Sequence, residues 1–431
     1  MMRQFFLSAA LAAGLAVPAM AQDEAPAVTQ QTVSIELFGL ANQALQAGDF
    51  EAAKRALEAV RDLKPGHPAV LNGLVTVARR AEHPEDALEA LEAMDAAGLT
   101  YDTSRVAEWL SEADPARFAA VDAALAANGE PVGRAERAAV VDRPDALIEG
   151  VAVDIETDRI FLSSVAQREI LLLEPFAPND PIVFADQDDG LWSVFGIAVD
   201  DRTRMVWAAS GVVPQTPMAE GETPGTALFA FDLMTGDLYN RYEIDGAERM
   251  ADFVVRDGMV YVADAGAPRI YVLNSISGQL ELLVEDPRFV SLQGLALTRG
   301  ALYAADYSTG IWRIDLGDQS VSLVRPGEAS LIGIDGLLNT RDGRLVAVRN
   351  GAAPHQMMAI DLDRDGREVA ATEVLLRAHP DMTGDTEPTL VDLADGRAWL
   401  VANAAWPLFP ADGNEPESAR PATVILEMDL P

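Results

Sequence analysis

Six short stretches of the chain open in the same way. In "IEGVAVD", "VFGIAVD", "MADFVVR", "LQGLALT", "IDGLLNT" and "TEPTLVD", one residue precedes an apolar run, and in four of them a glycine follows it directly. The residues at that position are Glu149, Phe195, Ala251, Gln293, Asp335 and Glu387. Three are carboxylates and one is a carboxamide, although the runs behind them call for burial. An ionised acid at the mouth of a buried strand is costly unless something pairs with it. Oxygen donors converging on one axis are what a hard cation such as Ca²⁺ takes, at about 2.3–2.6 Å each. On this reading Glu149 faces a cation. The competing reading is a set of solvated acids in a water-filled channel.

Convergence requires elements that bring six distant segments onto one axis. Each stretch is followed by a polar hairpin turn and a second aliphatic or aromatic strand, as in "GMVYVAD" and "GALYAAD". Third strands follow, among them "ALFAFDLMTG", "RIYVLNSISG", "GIWRIDLGD" and "TVILEMDL". The six positions are spaced by 46, 56, 42, 42 and 52 residues. Short strands repeating at that period predict a six-bladed β-propeller over residues 138–431. First strands line the channel of a propeller, so the six residues ring one mouth. The segment "RAAVVDRPD" is expected to add an outer strand beside the C-terminal "ATVILEMDLP", closing the ring.

Antiparallel order returns each second strand to the same mouth. The loops after those strands therefore surround it. Two are long, 211–225 and 403–422, and are either a lid or plain insertions. His355, in "NGAAPHQM", lies in the corresponding loop of the fifth blade. It is a candidate base or ligand near Asp335, with an exposed loop histidine as the alternative.

Residues 34–130 have a helical texture rich in Ala, Leu and Glu. "AGDFEAAKRALEAV" and "AEHPEDALEALEAM" begin 34 residues apart, at Ala47 and Ala81, and resemble tetratricopeptide repeats. Helices near 103–128 would cap them. The resemblance implies a protein or peptide partner; a module that only packs on its neighbour is the plainer alternative. The chain is thus expected to be a two-domain α plus all-β protein, with a short tetratricopeptide-like helical module before the propeller.

The N-terminus, "MMRQFFLSAALAAGLAVPAMAQDE", has one charge, Arg3, an apolar run too short for a good span, and an Ala19-Met20-Ala21 cleavage pattern. A signal peptide over 1–21 and a periplasmic or secreted protein are expected. No other stretch is long and apolar enough to span a membrane. The net charge of −36 and pI near 4.3 argue against nucleic acid and anionic membranes as partners. With no cysteine and four scattered histidines, disulfides, thiolate metal sites and haem are not expected. "DLDRDGREVAAT" imitates a calcium loop but lacks an acid at its twelfth position, Thr372, and reads as a hairpin turn.

The propeller resembles the SMP-30/gluconolactonase/LRE-like family. That resemblance implies a central divalent metal, often Ca²⁺, and hydrolysis of sugar lactones or related esters. The family's ligands are a Glu opening the first blade, an Asn before Gly in the fourth and an Asp before Gly in the fifth. "IEGVAVD" supplies Glu149, "IDGLLNT" supplies Asp335, and "LQGLAL" puts Gln293 where the family has Asn. In the third-blade substrate motif Arg249 and Asp252 match, while Ala251 replaces the family's Asn and Phe253 its Gly. The mechanism so implied polarises a carbonyl at the metal. Asp335 or Glu387 takes a proton, Arg249 holds a substrate oxygen and Asp252 belongs to the same substrate motif; His355, placed by its loop alone, is counted with the substrate-binding residues. The other function open at this point is a non-catalytic scaffold that binds a protein through its helical repeats and offers the propeller as a platform.

Overall fold

The computed structural model describes residues 30–274, 276–298, 300–327, 329–382, 386–411 and 419–431. The expected signal peptide lies outside the described residues, and no described helix is long and apolar enough to cross a membrane.

Six α-helices come first: α1 (Gln30–Ala47), α2 (Phe50–Leu63), α3 (Pro68–Ala81), α4 (Pro84–Ala96), α5 (Ala107–Ala113) and α6 (Pro115–Ala127). Their ends follow from local chemistry. Asp49 and Asp114 accept backbone N–H groups at the starts of α2 and α6, satisfying donors that a helix leaves orphaned. Proline opens α3, α4 and α6, where its missing N–H costs nothing. Ala53, Leu57 and Val60 of α2, at helical spacing, pack with Leu74, Leu88 and Leu91 in one core.

The rest of the described chain forms six four-stranded antiparallel sheets. Their inner strands are Ile148–Asp154, Ser193–Asp200, Met250–Arg256, Leu292–Thr298, Ile334–Asn339 and Val391–Ala394, in the order expected for six blades. The outermost strand of the sixth blade is Glu136–Val141, paired with the C-terminal strand Thr423–Asp429. The ring is therefore closed by the first and last strands together, as expected. "DLDRDG" is a turn between Gln356–Leu362 and Val369–Arg377, in which Asp363 accepts the amides of Arg367 and Glu368.

The repeated glycine has a steric cause. A Cβ on Gly294 would lie 2.2 Å from the Leu337 nitrogen and 2.7 Å from the Asp335 carbonyl oxygen of the next blade. Neighbouring inner strands come so close there that only hydrogen fits. In blades one to five the pairing register also shifts across this position, for example between Ile148 and Gly150 and between Leu292 and Leu295. Bulges of this kind re-aim a side chain. The device that closes the ring thus also turns the residue before the glycine.

The helical module sits on the mouth face, over blades four and five. Thr100 donates its N–H to the Ala353 carbonyl, the Lys64 ammonium donates to the Ser308 carbonyl at 3.0 Å, and Arg377 donates to the carbonyls of Ala127 and Glu130 at the end of α6.

Candidate functional site

Four carboxylates meet at the mouth. Glu149 is only 8% exposed. Burial drives its carboxyl well above the usual range, and the charges of Asp335, Glu387 and Asp252 add to the effect. Burial also pushes Asp252 up to about 7 and Glu387 up to about 7, each with help from Asp335. Asp335 is pushed up to about 6 by burial, against a hydrogen bond from Asn350. No lysine or arginine is among the charges that shift these four groups. Buried acids without a cation titrate upward in this way.

Asp252 enters the cluster by an irregularity of the repeat. It occupies the slot that holds glycine in blades one, two, four and five. A Cβ on Gly196 of the neighbouring blade would lie 2.7 Å from its Oδ1. Behind it runs a channel cavity of about 190 Å³, lined by Val151, Ile197, Asp252, Gly336 and Leu390 among others.

Three residues not singled out in the sequence complete the mouth. Asn350 donates from Nδ2 to Asp335 Oδ2 at 2.7 Å and to the Pro388 carbonyl at 2.9 Å, and its buried Oδ1 has no hydrogen-bond partner among the described residues. Tyr307 has its hydroxyl pushed above the usual range by burial and by the charges of Asp335 and Glu387. The indole N–H of Trp406 donates to Glu149 Oε2. All three lie in loops after second strands, where the repeat carries no pattern. Their one sequence signal is position, since Tyr307 and Asn350 each directly follow the last residue of such a strand.

The two long loops close over blades one to three. Ala405, Leu408 and Phe409 pack with Val213 and with Phe195 and Ala251, the two apolar members of the ring. Gln215 donates to the Phe409 carbonyl, joining the loops. Arg168, 5% exposed, pins the first loop through Glu222 at 2.6 Å and the Pro217 carbonyl. Residues 403–409 pack down on the mouth as a lid, whereas Pro214, Pro217, Ala219, Glu220, Gly221, Thr223 and Pro224 of the first loop are exposed. The apolar ring positions are thus covered by apolar lid residues, while Glu149 meets Trp406 and Asp335 meets Asn350.

Other expected site residues stand aside. Arg249 lies on the loop entering blade three and donates to the Ala265 carbonyl at 3.1 Å. The charges around it are Asp264 and Glu248, not the four mouth acids. His355 is half-buried, and its imidazole is pushed below its usual value by burial and by Arg349; Asp335 is not among its charged neighbours. Asp264 and Asp306 end second strands and each accept several loop amides, as expected of capping acids. Gln293 donates to Ser291 Oγ at 3.4 Å, on the strand beside that of Asp335.

In charge and donor type the mouth fits a divalent cation: carboxylates, carboxamides, and an orphaned buried amide oxygen on Asn350. Among the described residues no three His, Asp or Glu side chains converge closely enough to chelate one ion. The expected set contributes two carboxylates and one amide, so an amide donor would have to complete it.

Residues 44–111 match the tetratricopeptide repeat family. No protein of curated function matches the chain by sequence. Among solved structures the chain is similar to a gluconolactonase from Xanthomonas campestris, with 14% identity over 70% of this chain and 100% of that one and a TM-score of 0.43. It is also similar to a luciferin-regenerating enzyme, with 14% identity over 70% and 96% and a TM-score of 0.45. A virginiamycin B lyase from Staphylococcus aureus shares 13% identity over 63% and 82%, with a TM-score of 0.43. The six-bladed architecture itself rests on the strand pairing of this chain.

Proposed function

We propose that the protein is an exported divalent-cation-binding propeller that hydrolyses a lactone or ester at its lidded mouth. The observation that carries this reading is the cluster of Glu149, which is buried, with the half-buried Asp252, Asp335 and Glu387, all raised by desolvation and by one another with no basic group among the charges that shift them. A structural role alone does not account for it, because uncompensated buried acids cost stability. Glu149, Gln293 and Asp335 would hold the ion, with Ca²⁺ the best match to oxygen donors. A bound divalent cation supplies a positive charge that polarises a carbonyl and acidifies a water. Glu387, held near 7, is suited to take a proton from the attacking water near neutral pH. Tyr307 offers a hydroxyl to a substrate oxygen. The lid residues Trp406, Leu408 and Phe409 keep bulk water from the reacting group.

The test is calorimetric titration of chelator-treated protein with Ca²⁺ beside Glu149→Ala, followed by a panel of lactones and aryl esters. One ion bound by the parent and none by the variant, with turnover of a panel member, is the expected result. No binding, or equal binding by both, would sink the proposal. The second reading, a scaffold for a protein or peptide partner, is favoured by the repeat match at 44–111 and by the exposed Ile35 and Leu40 of α1. Cation binding without turnover of any ester would favour it.

A further inference from the structure

Two consecutive pairs of residues connect the helical module to the mouth. Arg349 ends the second strand of blade five and is 1% exposed. Its guanidinium donates to the carbonyls of Ala97 at 3.3 Å and Gly98 at 3.1 Å, just past α4. Carbonyls at a helix C-terminus carry partial negative charge, so a guanidinium is held there firmly. The next residue is Asn350, whose amide bonds both Asp335 and the Pro388 carbonyl beside Glu387. The second pair is Tyr307 and Ser308. The Ser308 carbonyl accepts the buried Lys64 ammonium of the module, while the Tyr307 side chain belongs to the mouth. The pairs are tied to each other, since Gly333 donates its N–H to the Tyr307 carbonyl and accepts from the amides of Asn350 and Gly351.

We propose that the helical module is a structural half of the mouth site: Arg349, locked into the module, is a positioning residue that holds Asn350 in place, and Asn350 orients Asp335 and the chain beside Glu387 for the cation. This rests on the cation reading given above. It gives the module a role in a small-molecule site that needs no protein partner. Partners of metal-binding groups that do not themselves touch the metal act in this way, by fixing ligand orientation.

The experiment is Ca²⁺ calorimetry on the chelator-treated full chain, comparing the parent, Asn350→Ala, Arg349→Ala and the double variant. Asn350→Ala is expected to weaken binding roughly 10- to 100-fold. Arg349→Ala should weaken it in the parent but not further in the Asn350→Ala background, because the two act through one path. Arg349→Lys, which keeps a cation near the Ala97 and Gly98 carbonyls, should restore part of the affinity. If Arg349→Ala multiplies the loss in both backgrounds, Arg349 is only interdomain glue and the proposal is overturned. If the parent binds Ca²⁺ and Asn350→Ala binds it equally, the proposal fails while the cation reading stands. If the parent binds none, the cation reading fails and takes this one with it. Should Arg349→Ala not fold by circular dichroism, Arg349→Lys carries the same cycle, with a smaller loss expected only when Asn350 is present.

Discussion

Glu149 and Asp154 occupy the two ends of one inner strand, and their surroundings are opposite. Asp154 is fully buried. Burial pushes its carboxyl up, but Arg204 of the next blade donates to both its oxygens, at 2.7 and 2.8 Å, and Thr157 adds a third donor. The balance leaves it below the usual range. Glu149 is nearly as buried and receives one indole N–H. It is driven far upward by burial and by other acids. Asp392, at the hairpin end of blade six, lies between the two: it accepts two backbone amides, from Val153 and Leu393, and burial still pushes it up to about 6. At the hairpin end Asp154 stitches neighbouring blades together as a compensated acid. The mouth gathers uncompensated ones. Composition cannot tell these apart; the donors that reach each carboxyl can, a guanidinium at Asp154 and loop amides at Asp264 and Asp306, against a single indole N–H at Glu149.

The largest effect should come from breaking the compensated end. Arg204→Ala leaves Asp154 buried and unpaired, and should cost roughly 3 kcal/mol in urea unfolding. Its Ca²⁺ affinity should stay at the parent value. A loss of affinity instead would mean that the two ends are not independent, and the comparison would break.

Next in size is the pH dependence of the cation-free protein. The mouth acids have folded values raised above their unfolded ones, so the folded state holds more protons between about pH 4 and 7. Stability then falls as pH rises through that window. A tenfold difference in proton affinity between the folded and unfolded states, at one group, is worth about 1.4 kcal/mol. Urea midpoints in chelator should therefore drop from pH 5 to pH 8, and Ca²⁺ should restore them at pH 8. A flat profile would show the acids to be solvated.

A smaller effect separates binding from stability. Glu149→Gln should abolish Ca²⁺ uptake, yet stabilise the cation-free protein at pH 8 by about 1 kcal/mol through relief of a buried charge. Destabilisation instead would place Glu149 with Asp154 as a structural acid.

Much of this contrast was legible in the chain and some was not. The six mouth residues follow from a repeated strand, and the glycine behind them from how closely the strands approach. The closing outer strand 136–141 was legible because it is a leftover β segment with one open edge to fill. Tyr307, Asn350 and Trp406 were not, because loops after second strands differ from blade to blade and carry no period. The docking of the helices was hidden for a related reason. It is written in single contacts such as Arg349 to Gly98, 251 residues apart, rather than in a pattern. His355 was assigned to the mouth from its loop alone; it lies beside Arg349, in the loop whose Ala353 carbonyl meets the module.

The smallest predicted effect decides what the lid does. Trp406 donates its indole N–H to Glu149 Oε2, and there are two ways for that bond to matter. A carboxylate has lone pairs for several partners, so the indole can fix the orientation of Glu149 while leaving it open to a cation. Trp406→Phe, which keeps the ring's bulk but removes the N–H, then weakens Ca²⁺ binding by up to about tenfold. Alternatively the indole competes with the cation for the same oxygen, and Trp406→Phe tightens binding. The packing of Leu408 and Phe409 against Phe195 and Ala251 holds the lid down independently of this bond, so the substitution should leave the lid in place. That favours the orienting role, and weaker binding in calorimetry is the expected result. Tighter binding would make Trp406 a latch that the cation must displace. The uncompensated end would then be guarded by its own lid, unlike the ion-paired end.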